Sequence, residues 1–396
     1  MKVSTAAAGA VLAASVLVTN AVAAPDDVRV SAYDLGDQAF TPPAPYEGKS
    51  ELAAVVRYPA KLSGKHPVIV MQHGSWTTCA DAPAQRRLVE AKEALAEAEQ
   101  TGDEAEQARQ RAIIDEASGR LWAWPCPVGV APLRSSSGYD YLAEELARQG
   151  FVVVSTGANG LNATGFGQAE TVYRARAALM NKHLEMLRQL DTGTGPLVGD
   201  LARLRGHLDL HRVGTLGHSM GGGGALQQVS DQRHGEWPAG VEVKATVAFA
   251  PAAPLDAEPV TEVPFAVLRG TCDQVNTGEY FRWNRDRNHV PIYNFTLTGG
   301  NHNYFNTQWS PSSGQVASAD DAIPGEQPGH CVSTDGANEE HRQLDEATER
   351  RIATGYTVAF FRRHLLDDRS AIPLLTGGER LPGVPNVVQV EFADSH

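Results

Sequence analysis

Ser219 stands in the run Gly217-His218-Ser219-Met220-Gly221, directly after the apolar segment 213–216. Glycines two before and two after a serine at a strand end fit a strand-turn-helix elbow. In that turn a Cβ at either flanking position would collide with neighbouring backbone, and the serine hydroxyl is left exposed. A hydroxyl presented in this way is a candidate nucleophile, weak until a neighbouring imidazole takes its proton. A nucleotide-phosphate loop is excluded, because no Lys-Ser or Lys-Thr follows the glycines. A merely structural glycine-rich loop would need no chemical partners, so the reading depends on an acid, a base and oxyanion donors occurring elsewhere in a suitable order.

They do occur. The apolar run 265–269 leads into Gly270-Thr271-Cys272-Asp273, and the run 292–297 leads into Thr298-Gly299-Gly300-Asn301-His302. Asp273 and His302 thus follow the serine in the order nucleophile, acid, base, each in the loop beyond a strand end. Asp320 and Asp321 are alternative acids that would break this order. A tetrahedral intermediate at Ser219 would need backbone donors for its oxyanion. The amide of Met220 is one, and that of Ser75 or Trp76, in Gln72-His73-Gly74-Ser75-Trp76, is the other. His73 and His218 read as structural neighbours of the site. Trp76, Asn159, Phe166, Tyr304 and Phe305 are candidate pocket residues, with Trp122, Trp124, Asn162 and Trp309 in nearby loops. His207 and His211 bracket Asp209 but precede the strand that carries the elbow, at the far end of the sheet. No cofactor or metal is expected.

Short β-branched runs alternating with helical segments predict an α/β domain with a mainly parallel sheet. Strands are expected at 28–33, 52–58, 68–71, 151–155, 213–216, 245–250, 265–269 and 292–297. Helices are expected at 139–149, 172–190 and 346–366, the last burying Ile352, Tyr356, Ala359 and Phe360. Arg350, Arg351, Arg362, Arg363 and His364 read as its exposed face. Residues 81–120 are charged and alanine-rich with a turn at Thr101-Gly102-Asp103, and predict a helical hairpin inserted after the oxyanion loop. Its expected seam sets Leu88, Ala91, Leu95 and Ala98 against Ala105, Ala108 and Ile113. It is either a cap over the site or a solvated excursion. Residues 306–340 read as a long surface loop.

The chain has 396 residues, a formal net charge of -13 and 4 cysteines. The acidic balance argues against a nucleic-acid partner. Lys2, an apolar stretch from Ala6 to Val18 and Ala21-Val22-Ala23 predict an export signal cleaved after about Ala23, an uncleaved membrane anchor being the competing reading. No other stretch approaches membrane-spanning length, so no stable membrane insertion is expected. In an exported chain the four cysteines predict two disulfides. Pairing Cys79 with Cys126 and Cys272 with Cys331 closes one excursion near the site each. The mature part, 24–396, reads as a single domain carrying the 81–120 insertion.

The run Gly217-His218-Ser219-Met220-Gly221-Gly222-Gly223-Gly224 resembles the elbow of secreted bacterial cutinases and polyester-degrading lipases of the α/β-hydrolase superfamily. Trp124-Pro125-Cys126, Gly138 to Ala143, Ala158 to Asn162 and Asn301 to Thr307 look more like larger exported bacterial α/β-hydrolases. The resemblance covers most of 45 to 367. It implies an α/β-hydrolase fold, a secreted esterase or lipase, and a Ser219, Asp273, His302 triad acting through an acyl-enzyme on a small-molecule, lipid or polymer ester. Compact cutinase-like enzymes lack an insertion such as 81–120 and have a Pro-Gly-aromatic turn where this chain has His73-Gly74-Ser75. A capped site would favour smaller or more flexible esters over a solid polymer. An amidase or peptidase on the same fold, and a non-catalytic binding module, are the alternatives.

Overall fold

A computed structural model describes residues 27–164, 168–254, 258–276, 279–314, 329–334 and 339–395. The expected leader with its Ala23 site, and Phe166, Asp320 and Asp321, lie outside the described residues. The strands are β1 (Val28–Asp34), β2 (Ala53–Pro59), β3 (His66–Gln72), β4 (Val152–Thr156), β5 (Leu208–His218), β6 (Val243–Phe249), β7 (Phe265–Gly270), β8 (Ile292–Leu297), β9 (His330–Val332), β10 (Glu340–Arg342) and β11 (Val388–Ala393). The helices are α1 (Ala82–Thr101), α2 (Glu104–Leu121), α3 (Asp140–Arg148), α4 (Asn159–Ala163), α5 (Ala169–Asp191), α6 (Met220–Gln228), α7 (Tyr280–Asn284), α8 (Glu346–Leu365) and α9 (Ile372–Leu375).

Nine of these strands form one sheet in the order β1-β2-β4-β3-β5-β6-β7-β8-β11. The pairs from β4 through β8 are parallel, whereas β2 and β11 run against their neighbours. The fold is therefore α/β with a mostly parallel central sheet flanked by helices. Strand periodicity divides the core between the two faces: Val68 and Val70 join the cluster holding Leu179, Leu184 and Leu226, while Ile69 and Met71 join that holding Leu142, Phe360 and Phe361. Burial on both faces explains why the central strands read as unbroken apolar runs. β5, the elbow strand, lies between β3 and β6 at the middle of the sheet.

The 81–120 insertion is the expected hairpin. Asp81 caps α1 by accepting from the Ala84 amide, Gly102 ends it in the left-handed region, and Asp103 caps α2 through the Glu106 amide. The seam differs from expectation. Ala84, Ala91 and Ala98 face Gln110, Ala117 and Leu121, whereas Ala105 and Ala108 are exposed. Small residues at seven-residue spacing bring the two helices close, and that register places Gln110 rather than Ala108 inside.

Both disulfides pair as the sequence suggested, Cys79 with Cys126 and Cys272 with Cys331. Two segments depart from the sequence reading. From 306 to 342 the chain is not a plain surface loop: β9 pairs antiparallel with β10, and Asn306, Trp309 and Ser310 are buried. On α8, Arg350 is not part of an exposed face: its guanidinium donates to the Tyr304 carbonyl at 2.8 Å and to Ser310 Oγ at 2.6 Å, because the segment after His302 folds back onto the helix. His364 likewise packs on Phe360 and Tyr293. Among the described residues, no helix is long and apolar enough to cross a membrane.

Candidate functional site

Ser219 occupies the junction of β5 and α6 with φ 55° and ψ -123°, a backbone conformation that non-glycine residues rarely adopt. Its amide donates to the Phe249 carbonyl at 2.8 Å, and its carbonyl accepts from Gly223 at 3.0 Å and Ala252 at 3.1 Å. These bonds from β6, the loop after it and α6 fix the strained turn. The flanking glycines have no alternative: a Cβ on Gly217 would lie 1.9 Å from the Gly221 carbonyl oxygen, and one on Gly221 would lie 2.6 Å from those of Gln72 and His73.

Asp273 and His302 pair with each other. His302 Nδ1 lies 2.8 Å from Asp273 Oδ2, with both side chains almost wholly buried. The carboxylate can only accept, so Nδ1 carries a proton. Asp273 Oδ1 accepts from the amides of Val275 and Asn276, both at 2.8 Å, which sets the carboxylate's orientation. The Asn276 side chain then reaches across, its Nδ2 lying 3.0 Å from the Ala250 carbonyl and 3.5 Å from Ser219 Oγ. Asn276 carried no signal of its own in the sequence beyond lying three residues after a candidate acid.

The His302 loop is held from below. His218 Nε2 donates to the His302 carbonyl at 2.9 Å, and its Nδ1 accepts from the Tyr139 hydroxyl at 2.9 Å. Burial, and then the neighbouring His302, hold the His218 imidazole well below its usual range, so it stays neutral in this arrangement. Glu349 of α8, fully buried, accepts from the Asn301 amide at 2.8 Å. Cys272, one residue before Asp273, is bonded to Cys331 of β9, and Thr334 donates its amide to the Thr271 carbonyl at 3.0 Å. The Asp273 loop is thereby tied to the small β9–β10 pair.

The loop after β3 forms the opposite wall. Gly74 lies so close to Ser219 that an added Cβ would be 2.6 Å from both the Ser219 Cβ and the His218 carbonyl oxygen. The carbonyls of this loop are taken up by Arg176, His73 and Asn162. That of His73 accepts from Arg176 at 3.0 Å; that of Gly74 from His73 Nδ1 at 2.8 Å and Asn162 Nδ2 at 3.2 Å; that of Trp76 from Asn162 Nδ2 at 3.3 Å. His73 Nε2 accepts from the Ala158 amide at 2.9 Å, and burial together with the Arg176 charge holds this imidazole down to about 3. His73 and His218 are both wedges in the frame, in keeping with a structural reading.

The expected pocket residues separate. Trp76 is half-buried at this wall, its ring 6.0 Å from that of Trp309. Phe305 is fully buried, stacked on Phe249 and edge-on to His218, because the chain after His302 turns inward; it is core rather than pocket. Asn159 is buried with its amide group donating to the Leu133 carbonyl, while its backbone and that of Gly160 cap Glu51, so it too is structural. Tyr304 lines a different cavity of about 780 Å³, with Pro311, His341, Leu344 and Val387. His207 bonds the Gly64 carbonyl and His211 bonds Glu242, away from the elbow.

No protein-family model matches this chain, and no curated protein compared with it matches. The functional reading therefore rests on the geometry above.

Proposed function

We propose that this protein is an exported serine hydrolase of the α/β-hydrolase fold that cleaves carboxylic esters through an acyl-enzyme. The observation that carries the reading is the buried Asp273–His302 pair, joined through Asn276 to a strained serine at a strand-helix junction. The strand order around β5 and the placement of acid and base after β7 and β8 support it. The two disulfides fit an oxidising compartment.

In this reading His302 Nε2 takes the Ser219 proton as Oγ attacks the ester carbonyl, forming the tetrahedral intermediate. Asp273 stays ionised, holding the ring in the Nδ1–H tautomer and stabilising the imidazolium. The proton then passes to the leaving alcohol as the C–O bond breaks. Water, deprotonated by His302, attacks the acyl-enzyme; the acid departs and Ser219 regains its proton. The oxyanion is held by the Met220 amide at the N-terminus of α6, where the helix dipole adds to the hydrogen bond. The Ser75 amide is the second donor, in preference to that of Trp76. The 74–75 peptide is trans and its carbonyl is bonded to His73 and Asn162, so its N–H points the other way.

The test is turnover of a short-chain nitrophenyl ester and its matched anilide. The wild type is expected to hydrolyse the ester, and Ser219→Ala to lose about 10⁴-fold or more in kcat with an unchanged circular dichroism spectrum. Retained turnover in that variant refutes the nucleophile. Preferential cleavage of the anilide moves the assignment to an amidase.

A further inference from the structure

Arg176 lies about a third of the way along α5 and is fully buried; among the described residues no carboxylate is within ion-pairing distance of it, and the buried Glu51 acts on it only at longer range. One terminal nitrogen donates to the His73 carbonyl at 3.0 Å and approaches Gln72 Oε1 at 3.5 Å. The other donates to Asn162 Oδ1 at 2.5 Å and Ser75 Oγ at 3.3 Å. Its Nε is buried without a hydrogen-bond partner. Burial pushes its pKa down to about 10, which leaves the guanidinium charged at neutral pH.

Burying a cation that no carboxylate pairs with directly is costly, a cost that a brace built from neutral amides would not carry. The sequence also makes room for this side chain. A Cβ on Gly224 of α6 would lie 2.5 Å from Arg176 Cβ, so the fourth glycine of the run after Ser219 is what lets α5 bring Arg176 in behind the elbow. Resting on the hydrolase reading, we propose that Arg176 is a positioning residue for the oxyanion loop. With Asn162 it holds the His73, Gly74 and Trp76 carbonyls on its own side, keeping the Ser75 N–H aimed at the reacting carbonyl, and its charge adds positive potential behind that donor. The guanidinium fork suits this role better than an ammonium, because one planar group reaches acceptors on two chain segments.

The experiment compares Arg176→Met, Arg176→Lys and Asn162→Ala with the wild type in kcat and KM for a nitrophenyl ester. It also measures inhibition by an alkylboronic acid, which binds serine as a tetrahedral anion. Arg176→Met is expected to lower kcat on the order of 100-fold and to weaken boronate binding in step, with KM within about threefold. Arg176→Lys should recover about tenfold of the loss, because charge returns without the fork. The proposal is overturned if folded Arg176→Met keeps kcat within about threefold, if the loss falls in KM alone, or if Lys is no better than Met. Should Arg176→Met fail to fold, Asn162→Ala decides: about a tenfold lower kcat at unchanged KM supports the proposal, and unchanged kcat overturns it. Wild-type protein inert toward both esters and boronate would instead remove the hydrolase reading itself.

Discussion

Two segments, one after β3 and one after β7, are each closed by a disulfide, and they are built in opposite ways. The Cys79–Cys126 excursion carries α1 and α2, which bury little beyond an alanine seam and a small cluster of Ala84 and Leu121 with Leu88 and Trp122. Its ion pairs, such as Arg87–Glu116 and Arg111–Glu99, are exposed and contribute little. The Cys272–Cys331 excursion starts with a buried aspartate whose two oxygens are committed to named donors, and includes the histidine loop, itself held by His218 and Glu349. Polar groups buried with full partnership fix one geometry, whereas a solvated hairpin fixes only its own fold. The contrast sets a polar frame around Asp273 and His302 against a hairpin with few buried partners.

The largest expected effect is on the acid. Asp273→Asn preserves shape but lets His302 take the wrong tautomer, and kcat should fall by about 10³ to 10⁴-fold at neutral pH. Steady-state kinetics measures this; a loss under tenfold would remove Asp273 from the mechanism.

Acid should next separate the frame from the hairpin. Residues 81–121 contain no histidine, whereas His73 and His218 are buried neutral around the elbow, His73 with its pKa lowered to about 3. Unfolded histidines bind protons as pH falls through about 6.5, and these two do not while folded. The unfolded state therefore binds more protons in that window, and stability is lost with acid at about 1.4 kcal/mol per pH unit for each residue below 6.5. Urea midpoints at pH 7 and pH 5 measure this, and equal midpoints would contradict the neutral assignment.

The smallest effect distinguishes the disulfides directly. Cys272→Ala with Cys331→Ala should lower kcat by about tenfold, because the loop holding Asp273 loses its tie. Cys79→Ala with Cys126→Ala should leave kcat within about twofold, although each pair loses stability of about 2–4 kcal/mol. Equal kcat losses in both pairs, read from the same ester assay, would erase the contrast between the excursions.

The sequence made Ser219, Asp273 and His302 legible because each sits beyond an apolar run long enough to read as a buried strand, and glycines mark the turns. The hairpin was legible through its caps, Asp81, Gly102 and Asp103, but not its seam, since alanine is equally at home inside and outside a helix. β9 and β10 are three residues each, too short for any period to show. β11 did carry alternation in Val388, Val390 and Phe392, weakened because this edge strand buries little. The braces Arg176, Asn276 and Glu349 were not legible: a buried charge in a helix, a loop amide and a helix carboxylate look like surface residues until the partners that commit them are placed in space. Phe305 misled for the converse reason, since an aromatic next to the base reads as a pocket wall wherever the backbone's inward turn is unknown.

The central claim is that Ser219 is activated by His302. Its most direct test is treatment of the mature protein with a fluorophosphonate, followed by peptide mass spectrometry. A single phosphonyl adduct on the peptide containing Ser219, absent in both Ser219→Ala and His302→Ala, is the predicted result. No adduct on the wild type, or labelling that persists undiminished in Ser219→Ala, would contradict it.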